Sequence, residues 1–148
     1  MEIAVLALGC FWGPEKKFGQ VKGIIRTEVG YCGGNNSRTT YEEVCSGNTN
    51  HAEVVKLEFD PKIISYHEIL KYFFKIHDPT TLNFQGPDRG TQYRSEIFYL
   101  NENQKKIAEE IINLENEKLS GKVVTMLSLL KNYCPAEEYH QKYIEKKQ

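Results

Sequence analysis

Three observations predict an α+β protein, a two-layer α/β sandwich of ferredoxin-like type with a mixed sheet. Strand and helix signals follow one another in the order βαββαβ and then αβα along the 148 residues. Apolar runs of strand length are closed by turn residues such as Gly33-Gly34-Asn35-Asn36 and Asp60-Pro61. Two longer segments carry apolar residues at helical spacing behind recognisable N-terminal caps. The length suits a single domain, residues 1–148, and no repeat, low-complexity stretch or interdomain linker divides it.

Taken in order, residues 3–8 are an unbroken apolar run and read as a buried strand. A short helix opens at Pro14, a residue suited to the first helical position, and turns Phe18 and Val21 inward. Residues 23–31 read as the second strand, and 41–47 fit either helix or loop. Residues 51–59 are the third strand. Ser65 and Glu68 form a capping-box signature for a helix reaching about His77, with Leu70, Phe73, Phe74 and His77 on one face. Residues 78–95 form a long Pro-, Gly-, Thr- and Asp-rich loop, a length that is usually functional or disordered. A fourth strand follows at 95–100. Asn101 and Gln104 start a long helix with Ile107, Ile111, Leu114 and Leu119 inward, ended by Gly121. Residues 123–130 are a fifth strand or extended segment, and 135 to the end a polar, helical tail.

Hydrophobic content of 40% and charged content of 26% are ordinary for a globular protein. A net charge of −1 with interspersed signs gives no pull toward nucleic acid or anionic membrane. Cys10, Cys32, Cys45 and Cys134 lie at irregular spacing with no CxxC pair. That argues against a disulfide framework and a zinc site, and for a reduced, cytoplasmic setting. Residues 6–10, LALGC, have a lipoprotein-like look, but Glu2 precedes only about eight apolar residues, too few for a signal core or a span.

Two places point to chemistry. Cys10 lies between the first strand and the first helix, in Gly9-Cys10-Phe11-Trp12-Gly13. Free N–H groups and the helix dipole there favour a thiolate, lowering a pKa that is ordinarily ~8.5. Phe11 and Trp12 supply an apolar wall. On the third strand, alternation puts Glu53 on the face of Val55, Leu57 and Phe59, where an apolar residue is expected. A buried carboxyl keeps its proton and suits a general acid. The other reading is a strand-end side chain that reaches solvent or pairs with Arg26 or Arg94.

GCFWG at 9–13 is similar to the active-site signature of the A-type, S-epimer-specific peptide methionine sulfoxide reductases. The likeness continues in GYCGG (30–34), YEEVCSGNTNHAEVV (41–55), HDPT (77–80), DRGTQYRS (88–95) and AEEYHQKY (136–143), in the family's order. The resemblance implies reduction of free or protein-bound methionine sulfoxide in one catalytic domain. It implies Cys10 as nucleophile, Glu53 as acid, and Tyr41 and Tyr93 as oxygen-binding hydroxyls. Phe11 and Trp12 would hold the methyl group, with Asp88 and, less directly, His140 and Tyr143 lining the site. No cofactor is implied, only an external thiol: a glutaredoxin, glutathione, thioredoxin or dithiothreitol.

Many relatives carry resolving cysteines in a Gly-rich tail, whereas this sequence ends at Gln148 in a lysine-rich stretch without one. A single-cysteine enzyme is therefore expected, its Cys10 sulfenic acid reduced from outside, with Cys45 structural. A resolving role for Cys134 or Cys32 is the alternative. A second function class, a cysteine hydrolase or acyl transferase pairing Cys10 with His140 or His51, would need no reductant.

Overall fold

The computed structural model describes residues 1–35, 38–47 and 49–146. Asn36 of the turn-rich loop, Asn48 of the 41–55 motif and the last two residues of the tail lie outside them. The strands are β1 (Glu2–Leu8), β2 (Ile24–Cys32), β3 (Ala52–Phe59), β4 (Phe84–Gln85), β5 (Asp88–Arg89), β6 (Ser95–Tyr99), β7 (Met126–Leu129) and β8 (Cys134–Pro135). The helices are α1 (Trp12–Gly19), α2 (Tyr41–Cys45), α3 (Tyr66–Lys75), α4 (Glu102–Lys118) and α5 (Tyr143–Lys146). Six strands make one sheet in the order β7-β6-β1-β3-β2-β8. Every pairing in it is antiparallel except β6 with β7. The architecture is thus the α+β fold with a mixed sheet that the element order predicts.

Strand alternation sorts the core into two faces. Leu6, Val55, Leu57 and Phe59 pack under Phe18 of α1, Phe73 of α3 and Ile111 of α4. On the opposite face Val5, Ala7, Cys32, Val54 and Phe98 are covered by Leu130 and Tyr133. Full burial of each large side chain contributes about 1.5–3 kcal/mol.

Several boundaries differ from the sequence expectation for local reasons. The first helix begins at Trp12, so Pro14 occupies its third position, where a missing N–H also costs no intrahelical bond. The ambiguous 41–47 stretch forms α2, capped by the Thr40 side chain accepting from the Glu43 N–H at 3.2 Å. The Ser65–Glu68 capping box of α3 forms in full. Leu114 is 45% exposed, because the inward stripe of α4 runs through Gln104, Ala108 and Ile111 and passes beside it. The tail is only partly helical: β8, a single 3-10 turn at Glu138–His140 and the short α5 replace a continuous helix.

The long loop is structured. It contains the β4–β5 hairpin and a 3-10 turn at Thr91–Tyr93. His77 anchors its root, with Nδ1 2.6 Å from the Phe73 carbonyl and Nε2 2.7 Å from the Ser95 hydroxyl. Burial pushes its imidazole down to about 4, so it is a neutral crosslink at physiological pH.

Gly34 meets the buried His51 ring so closely that a Cβ there would lie 2.1 Å from Nδ1. Gly34→Ala is therefore expected to destabilise the fold by about 1–3 kcal/mol through overpacking. The check is a lower urea midpoint at unchanged m-value; an unaltered midpoint would mean that the close approach is dispensable.

Candidate active site

The site forms at one edge of the sheet, where β1 and β2 end and β3 and β6 begin. Register brings these ends together: Leu8 stands opposite Ser95, Tyr31 opposite Glu53, and Cys32 opposite Ala52. Residues far apart in sequence therefore share one small volume.

Cys10 is half-buried in the β1–α1 turn. The turn needs Gly9, whose φ is +100°; a Cβ there would also sit 2.8 Å from the Gln85 side chain. The Trp12 backbone N–H does pull the Cys10 pKa down, as a helix start should. It is outweighed. Burial, with smaller contributions from the Glu53 and Asp88 carboxylates, pushes the thiol up to about 11. The expected resting thiolate is thus corrected: a helix start lowers a thiol's pKa only where the charge keeps its hydration.

Glu53 is 1% exposed, as strand alternation predicts for the inward face. Its Oε1 accepts the Phe11 backbone N–H at 3.3 Å, and Oε2 has no hydrogen-bond partner among the described residues. Neither arginine pairs with it. Arg26 meets Glu58, and Arg94 forms a buried pair with Glu96 at 2.6 Å while donating to the Thr91 carbonyl at the start of the Tyr93 turn. Burial first, and Asp88 second, push Glu53 up to about 8 against the Phe11 N–H, so it holds its proton at neutral pH.

Tyr41 opens α2 and Tyr93 closes the 3-10 turn before β6, and their phenols lie close enough to act on each other's titration. The Cys45 thiol also acts on the Tyr41 phenol and raises it further. Burial raises both phenols, Tyr93 to about 12, which leaves them as hydroxyl donors. Both also sense the Glu53 charge, and Asp88 on β5 acts on Cys10, Glu53 and Tyr93 together.

The aromatic wall is buttressed from the tail. Phe11 is buried, with Tyr31 and His140 at ring distances of 5.7 and 5.3 Å. Trp12 stacks on Tyr143 at 3.7 Å, and its indole N–H donates to His140 Nδ1 at 3.0 Å. That bond puts the imidazole proton on Nε2, and burial pushes the His140 pKa down and keeps the ring neutral. His140 therefore holds Trp12 from behind, and its Nδ1 is not available to Cys10 as a hydrolase base.

Sequence reasoning missed the fastening of this tail. The Gln141 amide accepts from the Val29 N–H and donates to the Val29 carbonyl, both at 2.9 Å, in the manner of one more strand residue. Buried Glu15 accepts from the Thr27 hydroxyl and the Lys142 N–H at 2.9 and 2.6 Å. Glu137 accepts from the Tyr31 hydroxyl and the Tyr41 N–H. The AEEYHQKY likeness marked this stretch, but its polarity reads locally as a solvated tail.

The family model described as peptide methionine sulfoxide reductase matches residues 2–148. The chain belongs to the peptide methionine sulfoxide reductase family. It is thereby an oxidoreductase. The peptide methionine sulfoxide reductase MsrA of Pelagibacter ubique (strain HTCC1062) is 73% identical over 147 residues, covering 99% of this chain and 100% of the relative. The reduced form of Mxr1 from Saccharomyces cerevisiae superposes with a TM-score of 0.92 at 40% identity, over 98% of this reductase and 84% of that chain. Mxr1 in complex with Trx2 matches with a TM-score of 0.68 at 28% identity, over 96% and 84%. Among the described residues no helix is long and apolar enough to cross a membrane, and no cluster of histidine, cysteine and acidic residues is suited to a metal ion.

Proposed function

We propose that the reductase, acting as one catalytic domain in the cytoplasm, returns the S-epimer of methionine sulfoxide, free or in proteins, to methionine through a sulfenic acid on Cys10. The observation that carries this reading is Glu53, a buried carboxyl with its proton retained, beside a thiol and two phenol donors. Glu53 protonates the sulfoxide oxygen, which Tyr41 and Tyr93 bind, and the sulfur becomes electrophilic. The Cys10 sulfur attacks it while Phe11 and Trp12 hold the methyl group, Asp88 lines the entrance, and His140 steadies the indole. The balance is R–SH plus sulfoxide giving R–SOH plus thioether. Two external thiols then return R–SOH to R–SH, releasing water and their own disulfide.

Reduction from outside fits the other sulfurs. Cys32 is fully buried on the opposite sheet face, its thiol 3.2 Å from the Lys131 carbonyl. The Cys134 thiol faces the Thr39 carbonyl at 3.7 Å, and Cys45 is exposed at the end of α2. The Mxr1–Trx2 complex supports a thioredoxin-type donor among candidates that include glutaredoxin, glutathione and dithiothreitol. One equivalent of S-sulfoxide without reductant is expected to leave a dimedone-trappable sulfenic acid on Cys10. An intramolecular disulfide in the non-reduced protein mass would overturn the single-cysteine route, and turnover of the R-epimer would overturn the stereochemistry.

A further inference from the structure

We propose that Glu137 is a positioning residue for Tyr41, an inference that rests on the oxygen-binding role of Tyr41 given above. Glu137 lies between β8 and the 3-10 turn of the tail. Its Oε2 accepts the backbone N–H of Tyr41 at 3.0 Å and, more weakly, the Tyr139 hydroxyl at 3.4 Å. Its Oε1 accepts the hydroxyl of Tyr31 at 2.8 Å. Tyr31 is fully buried and stands in register with Glu53. One carboxylate therefore joins the β2 residue beside the acid to the first residue of the helix that carries the phenol.

α2 needs such an anchor. It has five residues, too few to persist by their own hydrogen bonds. Its other N-terminal support is the exposed Thr40 cap. The Tyr41 ring also leans on His140 at 4.5 Å, so Glu137 and His140 fix the same phenol through backbone and ring. The accepted bonds, working against burial, hold the Glu137 carboxyl below the usual carboxylate range. It is ionised throughout the working pH range and takes no part in proton transfer. Removing it strands the buried Tyr31 hydroxyl and frees the start of α2, so the Tyr41 hydroxyl loses its place beside Tyr93.

The test is a double-mutant cycle read by the single-turnover rate constant of sulfenic acid formation. Glu137→Ala is expected to slow that step about tenfold when Tyr41 is present, and less than about twofold in a Tyr41→Phe background. Glu137→Gln, which keeps an acceptor for the Tyr41 N–H, is expected to recover most of the rate. Should the alanine variant fail to fold, the same cycle with Glu137→Gln gives a smaller loss that again depends on Tyr41. Equal losses in both backgrounds would show a general effect on the fold and overturn this inference alone. A silent Tyr41→Phe variant would overturn the role of Tyr41 and this inference with it.

Discussion

Cys10→Ser is expected to abolish reduction of methionine sulfoxide, by about three orders of magnitude or more, with the fold retained. Serine keeps the size class of the side chain, and Gly9, which shapes the turn, is untouched. The hydroxyl is a far weaker nucleophile and cannot form a stable sulfenic-acid counterpart. Thermal stability should change by about 1 kcal/mol or less, since the site is only half-buried. The measurement pairs a methionine-formation assay with a melting curve. Turnover retained in a folded variant would remove Cys10 from the chemistry.

Glu53→Gln has the second large effect, and its signature is in the pH profile. In the native protein Glu53 releases its proton at about 8 and Cys10 at about 11. Between these values the pair holds one proton. Thiolate with carboxylic acid has the same proton count as thiol with carboxylate, and the former is the reactive arrangement. The value of kcat/KM should therefore rise about tenfold per pH unit toward pH 8, level off, and fall beyond about 11. Glutamine keeps the shape and cannot supply the proton, so the plateau should drop by about 10²–10⁴-fold. The break near 8 should also move upward, toward the titration of Cys10 alone. That titration should lie below about 11, since the Glu53 charge no longer opposes the thiolate. An unchanged rate of sulfenate formation, or a break that stays near 8, would remove Glu53 as the acid.

The two pKa directions differ in how visible they are from sequence. Glu53 was legible because strand alternation is a local rule with a period of two, and it puts the carboxyl on the buried face whatever surrounds it. Burial then raises its pKa. Cys10 was legible as a residue at a strand-to-helix turn, but the direction of its shift was not. The helix start is encoded by neighbouring residues, whereas the opposing burial and the charges of Glu53 and Asp88 arrive from β3 and β5. The arginines show the same division. Arg26 and Arg94 could be proposed as partners of Glu53 from composition, yet register gave Arg26 Glu58 across the β2–β3 ladder, and Arg94 pairs with Glu96 two residues along its own segment.

By itself the sequence determined the order of the five longer strands and the three longer helices, the capping box of α3, the turn holding Cys10 and the strand face on which Glu53 stands. Each of these follows from interactions within a few residues, so a linear reading reaches them. Only the tertiary structure decided that the Tyr41 and Tyr93 phenols come together and that His140 grips the Trp12 indole. It also decided that Glu137, Gln141 and Glu15 bind a polar tail to β2 and α1. These contacts join residues from about fifty to about 130 positions apart, and no local propensity encodes them. They exist because sheet register brings four strand ends together at one end of the sheet, and most buried polar groups near it find partners from other parts of the chain.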